Sequence, residues 1–273
     1  MRNFNISNKF FARLTFGLTV ILILSGVTFA QAKLRNALDY DGDGRADVGI
    51  FRGSNSTWYL LKSNGSVADG ATFGSSNYDT IAPGDYDGDG KGDLAVWRYT
   101  NGTFYYLASG TNSFQARAFG AIGDEVVARD YDGDNKTDFA VVRRAGGLLT
   151  WYILNSLDGS FRSAQFGAST DLAVPGDYDG DGRFDLAVQR GGGATAAATH
   201  YVLGSTAGFY GVQFGLGTDM VVPGDYDGDG KTDVSIWRET DGTFYVLKTT
   251  DGAILGTQWG YTSDLPIAAY DVH

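Results

Sequence analysis

Asp225-Tyr-Asp-Gly-Asp-Gly-Lys-Thr-Asp233 is the stretch from which the fold can be worked out, because closely similar stretches occur five times in the 273 residues. The copies begin at Asp39, Asp85, Asp130, Asp177 and Asp225, so successive copies are 46, 45, 47 and 48 residues apart. Each copy places aspartates at positions 1, 3, 5 and 9 of a nine-residue loop. Four carboxylates this close together repel one another unless a cation lies among them. The pattern therefore predicts five metal sites, one in each repeat.

The ligand set favours calcium. Hard oxygen ligands in this number suit Ca²⁺, and the backbone carbonyl of position 7 would complete the shell. Up to five calcium ions are expected, one per loop. The predicted ligands are Asp39, Asp41, Asp43, Arg45 and Asp47; Asp85, Asp87, Asp89, Lys91 and Asp93; Asp130, Asp132, Asp134, Lys136 and Asp138; Asp177, Asp179, Asp181, Arg183 and Asp185; and Asp225, Asp227, Asp229, Lys231 and Asp233.

Five copies in phase, each with an additional aspartate at position 9, favour this interpretation over a solvated turn without an ion, and the loop is not an EF-hand. Position 6 must turn with a positive φ, and it holds glycine in four copies and Asn135 in the third. Position 12, which carries a bidentate glutamate in an EF-hand, is instead Ile or Val in every copy. These β-branched residues lie in short runs such as Asp93-Leu-Ala-Val-Trp-Arg98, which are typical of strands. The loops therefore join strands.

The N-terminus has the features of a secretory signal peptide, which we expect to span residues 1–32. Arg2, Lys9 and Arg13 precede an apolar run from Phe16 to Leu24, and small residues surround Ala30. A transmembrane anchor is the alternative, although the uncharged stretch is barely long enough to span a bilayer. A secreted, cell-surface or periplasmic protein without a stable membrane anchor after signal cleavage is expected.

Composition limits the classes of partner. The four aspartates of each of the five loops make up 20 of the 32 acidic residues, so the formal charge of −11 mainly reflects the metal sites. An acidic chain of this kind is not expected to bind nucleic acid, which requires a basic surface. The chain has no cysteine, so disulfides cannot stabilise it and bound metal is the expected substitute.

The rest of each repeat predicts four short strands. A strand ending in arginine follows each loop, then a Thr-aromatic-Tyr-x-Leu segment such as Thr243-Phe-Tyr-Val-Leu247, then a third strand ending in Phe-Gly or Trp-Gly. A fourth short strand enters the next loop, and no long segment with helical periodicity follows residue 32. Four antiparallel strands in about 46 residues are the unit of a β-propeller blade. Residues 33–273 are therefore expected to form one all-β propeller domain of five four-stranded blades.

The same residues resemble a known family. The Phe-Gly dipeptides, the Val-Pro-Gly-Asp segment and the acidic loop are similar to the FG-GAP or VCBS-type repeats of integrin α-subunit propellers and many secreted bacterial proteins. The resemblance covers residues 39–271. It implies a propeller with calcium in the hairpin between the first and second strands of each blade, and ligand binding on the opposite face. Many such propellers have seven blades, whereas this chain has five repeats.

The repeated arginines predict ion pairs. Arg98, Arg143, Arg190 and Arg238 follow their loops by five residues, and Asp79, Asp124, Asp171 and Asp219 precede them by six. Across an antiparallel hairpin these positions face one another. A structural clamp is the first interpretation, with about 0–1 kcal/mol per exposed pair. A ring of guanidinium groups that binds anionic ligands is the second.

The chain ends suggest how the ring closes. The segment Asp264-Leu-Pro-Ile-Ala-Ala-Tyr-Asp271 resembles the strand that leads into each loop, but it lacks a loop of its own. Arg52 in turn has no preceding aspartate in its own copy. We expect the C-terminal strand to pair with residues 48–51 and to offer Asp264 to Arg52, which would leave no exposed sheet edge there.

The function expected from these features is a non-catalytic binding or adhesion module for an extracellular glycan or protein. No catalytic residue is assigned, because almost all repeated aspartates belong to the predicted metal sites. A propeller enzyme acting on glycans and a purely structural cell-surface unit are the alternatives. The middle-strand aromatics could stack on sugars or pack between blades, with packing favoured. The small-residue loop 191–198 of the fourth copy could be a binding loop or tolerated drift.

Overall fold

The described chain forms twenty short β-strands. The computed structural model describes residues 37–45, 47–193 and 195–267, and these ranges contain no helix. The predicted signal peptide lies outside the described residues. In chain order the strands are β1 (Val48–Arg52), β2 (Thr57–Leu61), β3 (Val67–Thr72), β4 (Asp79–Ile81), β5 (Leu94–Arg98), β6 (Thr103–Ala108), β7 (Ser113–Ala118), β8 (Glu125–Val126), β9 (Phe139–Ala145), β10 (Leu148–Leu154), β11 (Phe161–Ala168), β12 (Leu172–Ala173), β13 (Leu186–Arg190), β14 (Ala197–Gly204), β15 (Gly208–Leu216), β16 (Met220–Val221), β17 (Val234–Arg238), β18 (Thr243–Leu247), β19 (Ile254–Gln258) and β20 (Leu265–Pro266).

The strands form five antiparallel four-stranded sheets, which are the blades of a β-propeller. Blade 1 has the strand order β20-β1-β2-β3, and blades 2 to 5 have the orders β4-β5-β6-β7, β8-β9-β10-β11, β12-β13-β14-β15 and β16-β17-β18-β19. Every hydrogen-bonded strand pair is antiparallel. The predicted all-β fold with five blades is confirmed.

Burial within a blade decreases from the inner strands to the outer edge. The second strand of blade 2, β5, has the sequence LAVWR, and its three central residues are buried on both faces of the sheet. The outer strand β7 has the sequence SFQARA and is almost entirely exposed. Strands with continuous apolar runs are typical of sheets covered on both sides. The core therefore lies between blades.

Buried aromatic residues of the middle strands pack against apolar residues of neighbouring blades. Trp58, Phe104, Trp151 and Phe244 on the third strands are fully buried, so packing is the role of these aromatics. In blades 1, 2, 3 and 5 an indole N–H donates a hydrogen bond to the backbone carbonyl of the aromatic residue in the Phe-Gly or Trp-Gly dipeptide of the same blade. The pairs are Trp58 with Phe73, Trp97 with Phe119, Trp151 with Phe166 and Trp237 with Trp259.

The C-terminal strand closes the ring as the sequence predicts. β20 pairs with β1 through Leu265 opposite Phe51 and Pro266 opposite Ile50. The N–H of Ile267 then donates to the carbonyl of Gly49 at 2.9 Å. The ladder expected for Ala268–Tyr270 lies outside the described residues. Blade 1 is thus completed by the opposite end of the chain, and its sheet edge is covered.

Candidate metal sites in the acidic loops

In blades 2 to 5 the acidic loop joins the first and second strands, and in blade 1 it leads directly into β1. In every loop the backbone curls around the first aspartate. In the loop 85–93, Oδ1 of Asp85 accepts the N–H of Gly88 at 2.6 Å, and Oδ2 accepts the N–H of Gly90 at 2.9 Å. The same two contacts recur in all five loops. Positions 4 and 6 both have a positive φ, including 69° at Asn135. Glycine is favoured there because it adopts this conformation without strain.

The aspartate at position 9 ties the loop to the rest of its blade. In the same loop Asp93 accepts the N–H of Tyr86 at 2.8 Å and the N–H of Ser109 at 2.7 Å. Ser109 lies in the turn between the third and fourth strands of blade 2. Equivalent contacts occur in each of the other loops. Hydrogen bonds to the aspartates at positions 1 and 9 therefore preorganise the loop.

A recurrent hydroxyl, which the sequence analysis missed, orients the aspartate at position 5. The side chain of Ser109 donates to Asp89 at 3.0 Å. The corresponding pairs are Ser63 with Asp43, Ser156 with Asp134, Ser205 with Asp181 and Thr249 with Asp229. The signal is present in the repeat, since Ser or Thr always stands two residues after the leucine of the Thr-aromatic-Tyr-x-Leu segment.

Three of the four predicted aspartates in each loop come together closely enough to hold one metal ion. Each offers a carboxylate oxygen, and the three oxygens lie within 4.8 Å of one another. The groups are Asp39, Asp41 and Asp43; Asp85, Asp87 and Asp93; Asp130, Asp132 and Asp138; Asp177, Asp179 and Asp185; and Asp225, Asp227 and Asp229. An all-oxygen donor set of this kind fits calcium, which accepts six to eight oxygen ligands in flexible geometry.

Burial makes these carboxylates costly to ionise without a cation. Removal from water raises the pKa of Asp85 to about 6 and the pKa of Asp130 to about 7. It also raises the pKa of every position-9 carboxyl to about 6. These groups are Asp47, Asp93, Asp138, Asp185 and Asp233. A divalent cation between them would favour the charged form and reverse this effect.

The loops contact each other around the ring. The N–H of Thr137 donates to the carbonyl of Asp85 in the preceding loop at 2.7 Å, and three more neighbouring pairs make the same bond. The side chain at position 7 also packs on the glycine at position 4 of the preceding loop. A Cβ built on Gly88 would lie 2.5 Å from Lys136, and one on Gly228 would lie 3.2 Å from Arg45. The latter contact joins blade 5 to blade 1.

The face opposite the loops carries the predicted arginine clamps. Five arginines each bind one aspartate through Nε and Nη2, at Nε–Oδ1 distances of 2.6–3.0 Å. The pairs are Arg52 with Asp264, Arg98 with Asp79, Arg143 with Asp124, Arg190 with Asp171 and Arg238 with Asp219. Each guanidinium also lies over a tyrosine ring, at 4.6–5.0 Å from its centroid. The structural interpretation of the repeated arginines is thus confirmed, including the cross-terminal pair.

A buried cation, which the sequence analysis missed, lies close to the tyrosines of the acidic loops. Arg129 is 2% exposed, and its Nη1 donates to the carbonyls of Ala128 and Pro83. Burial lowers the pKa of this guanidinium to about 10, and it influences the pKa of loop tyrosines from all five blades. The other copies have Leu or Gly at this position, so comparison of the repeats could have identified it.

Close backbone packing explains the glycines at the start of the small-residue loop 191–198 of the fourth copy. A Cβ built on Gly191 would lie 2.8 Å from the backbone of Gly217, and one on Gly217 would lie 2.8 Å from the N atom of Gly193. Two backbone segments therefore approach each other where only glycine fits. Ala194 lies outside the described residues.

Comparison with known proteins supports the repeat family. The family model described as FG-GAP-like repeat matches residues 39–96 and 130–188. No curated protein sequence matches the chain. Among solved structures, a protein from Lactobacillus plantarum is similar with 14% identity and a TM-score of 0.35, over 78% of this chain and 67% of that one. Rhamnogalacturonan lyase YesW is similar with 14% identity and a TM-score of 0.34, over 76% of this chain and 58% of the lyase.

The described residues contain no helix that is long and apolar enough to cross a membrane. They do contain five complete blades, a C-terminal strand that closes the first blade, and two segments that match the repeat model. The chain is therefore a five-bladed β-propeller that carries FG-GAP-like repeats.

Proposed function

We propose that the chain is a secreted, calcium-binding β-propeller that acts as a non-catalytic binding module for an extracellular glycan or protein. The observation that carries the proposal is the recurrence, in all five blades, of three aspartate oxygens within 4.8 Å of one another. These carboxylates lie in loops already held in shape by backbone hydrogen bonds, so little ordering is needed when an ion binds. Calcium would stabilise one face of the ring and leave the opposite face for a ligand.

Calorimetric titration of the ion-free protein with calcium tests the metal sites. Up to five ions per chain are expected, with affinities of about 10⁻⁴–10⁻³ M if the loops resemble other extracellular modules. Asp85→Asn combined with Asp87→Asn should remove one ion without unfolding the other four loops. Asp158→Asn, at an exposed turn outside the loops, is the matched control and should leave the stoichiometry unchanged. Absence of binding at millimolar calcium would refute the proposal.

The ligand class is tested separately with the calcium-loaded protein. Binding to glycan arrays and to extracellular proteins should be measured with calcium and with chelator, and loss of binding on chelation is expected. No binding to DNA or RNA is expected, because the chain is acidic. No membrane association is expected after cleavage of the proposed signal peptide.

A glycan-cleaving propeller enzyme is the second candidate. One observation favours it, a cavity of about 640 Å³ outside the acidic loops, between blades 5 and 1. Release of shortened saccharides from a bound glycan would support the enzyme and contradict the non-catalytic role. Recovery of the intact glycan would support the binding module.

A further inference from the structure

The cavity between blades 5 and 1 lies on the face of the arginine clamps. Its wall includes Arg52 and Tyr59 from blade 1 and Glu239, Trp259 and Tyr261 from blade 5. Its volume of about 640 Å³ is within the range of roughly 300–1,000 Å³ that is typical of sites for small organic ligands. None of these residues belongs to an acidic loop.

Three other seams between blades are covered by a phenylalanine. In the seam between blades 2 and 3, Phe161 of β11 stacks on Tyr152 at 6.2 Å and meets Phe119 of the preceding blade edge-on at 6.4 Å. The same arrangement occurs in the two adjoining seams. The residues there are Phe114 with Tyr105 and Phe73, and Phe209 with Tyr201 and Phe166.

In the seam between blades 4 and 5, Ile254 stands in place of the phenylalanine, since it pairs with Leu247. The seam between blades 5 and 1 also lacks this cover. Val67 occupies the equivalent position, because it pairs with Leu61 as Phe161 pairs with Leu154. Valine has no ring to stack on Tyr59 or to reach Trp259. In the seam between blades 2 and 3 the equivalent space is only about 170 Å³, and Phe161 forms part of its wall. The replacement of an aromatic cover by valine therefore accompanies the larger cavity.

The polar groups of this cavity include both donors and acceptors. Asp264 occupies Nε and Nη2 of Arg52, so Nη1 is the nitrogen that can face a ligand. Glu239 accepts the N–H of Ser263 through Oε1, which leaves Oε2 as an acceptor. The Nε2 of Gln258 donates to a backbone carbonyl, which leaves its own carbonyl oxygen. Hydroxyl groups, which donate and accept, match such a set better than a purely cationic or anionic group.

The aromatic side chains and the charges around the cavity restrict the class of ligand further. Tyr59, Trp259 and the 77% exposed Tyr261 present aromatic surface that can pack against the C–H face of a sugar ring. Glu239 and Asp241 border the cavity, and the charge of Arg52 is already balanced by Asp264. Uronate or sulfate groups would be repelled there, since like charges disfavour association.

We propose that this seam is the binding site for a neutral saccharide. The proposal rests on the function proposed above and deepens it, because it names the ligand class and the blades that bind it. The aromatic walls would stack on the sugar, and Arg52, Glu239 and Gln258 would bind its hydroxyls.

The test uses the full, calcium-loaded chain and an array of defined neutral and acidic oligosaccharides, followed by calorimetry with the best neutral probe. Val67→Phe should restore the cover and weaken binding by about tenfold or more. Tyr261→Ala, at an exposed position that should not affect folding, should weaken it to a similar extent. Phe161→Val, which makes the reverse exchange at the seam between blades 2 and 3, is the matched control and should bind as the wild type does.

The possible outcomes test different parts of the two proposals. Wild-type affinity in both Val67→Phe and Tyr261→Ala would refute this seam as the site and leave the binding module standing. Binding of acidic saccharides only would refute the neutral class. Binding of an extracellular protein with no saccharide binding would refute the saccharide site alone. Absence of any ligand with all five calcium ions bound would refute both proposals.

Discussion

His200 shows how one residue departs from its repeat. It is 1% exposed and occupies the position held elsewhere by Trp58, Phe104, Trp151 and Phe244. Neither ring nitrogen makes a well-formed hydrogen bond among the described residues, and the only polar group acting on the ring is the backbone of Val212, which lies opposite it. The cross-strand neighbour Gln189 is also buried, and its amide has no hydrogen-bond partner among the described residues. Burial lowers the pKa of the imidazole from 6.5 to about 4. Blade 4 therefore carries a polar pair where blades 1, 2 and 5 carry an aromatic pair and blade 3 pairs Trp151 with Val142.

Replacing His200→Phe should stabilise the protein. Removal of an unsatisfied buried polar group is expected to raise the free energy of unfolding by about 1–3 kcal/mol. The folded-state pKa of about 4 lies below the unfolded value of 6.5, so the native state binds fewer protons and the histidine costs more stability as the pH falls through this range. The gain should thus be larger near pH 5 than near pH 7.5. Urea unfolding at both pH values measures it.

The reverse exchange in blade 5, Phe244→His, provides the control. It should lower stability, and the loss should be larger at the acidic pH. A stability unchanged by either substitution would show that the blade 4 position already satisfies its histidine.

The arginine clamps should contribute more than exposed ion pairs do. The aspartate side chains are only 0–5% exposed, although the arginines are 31–51% exposed. The sequence-based value of about 0–1 kcal/mol per pair applies when both partners are exposed. Because the carboxylates are buried, we expect a larger contribution from each pair. Arg98→Gln leaves Asp79 buried without its cation, so a loss of about 1–3 kcal/mol is expected. A double-mutant cycle with Asp79→Asn, followed by thermal unfolding, measures the coupling, and additive losses would contradict it.

At the scale of strands, closure of the ring depends on a size match between β1 and the C-terminal segment. Ile267 is fully buried and hydrogen-bonds to Gly49. A Cβ built on Gly49 would lie only 2.4 Å from Cδ1 of Ile267. The equivalent contact in blade 3 joins Val127 to Ala140. Valine is smaller than isoleucine, and alanine is larger than glycine. The glycine in blade 1 therefore makes room for the isoleucine that the C-terminus supplies.

Gly49→Ala should destabilise the closed ring by about 1–3 kcal/mol through overpacking. Ile267→Val alone should cost about 0.5–1.5 kcal/mol through loss of one methylene. The double variant reproduces the side chains of the blade 3 contact, so its loss should be smaller than the sum of the two single losses. Chemical denaturation of the four proteins measures this coupling. Additive effects would mean that the two residues are not in contact in solution.

Most of the strands could be predicted from the sequence, because the same order of strand patterns and turns recurs in each of the five copies. The ion pair between Arg52 and Asp264 was predictable for the same reason. The first copy lacks a leading strand with its aspartate, and the C-terminus supplies an additional strand of this kind. The hydroxyl of Ser109 and the buried Arg129 were missed although the repeat shows both. The seam cavity could not be predicted from the repeats, because it lies between residues of blade 1, such as Arg52 and Tyr59, and residues of blade 5, such as Trp259. Such contacts join residues at opposite ends of the chain.

For the whole molecule, the five acidic loops form one connected surface on one face. Each loop hydrogen-bonds to a neighbour, and the contact of Arg45 with Gly228 joins the first loop to the last. If an ion binds in one loop, we therefore expect it to stabilise a surface shared with two others. At a calcium concentration 100 times the dissociation constant, each site contributes about 2.7 kcal/mol by mass action.

Calcium and protons should therefore compete for the same carboxylates, which gives the ion-free and calcium-loaded proteins opposite responses to pH. In the ion-free protein the pKa values of Asp85 and Asp130, about 6 and 7, exceed the unfolded value of 3.8. Their contribution to stability is then fully present below about pH 4 and is lost as the pH rises through about 6–7. With calcium bound, the ionised carboxylates are the ligands, so the calcium-dependent gain should increase over the same range.

Thermal unfolding with excess calcium or with chelator, at about pH 5 and about pH 7.5, measures both responses. Chelation should lower the melting temperature strongly at the higher pH and much less at the lower one. Asp225→Asn combined with Asp227→Asn should reduce the calcium-dependent shift by roughly the share of one site in five, whereas Asp251→Asn outside the loops should not change it. A melting temperature that chelation leaves unchanged at the higher pH would contradict calcium as a structural ion, because buried carboxylates in five loops would then be stable without a cation.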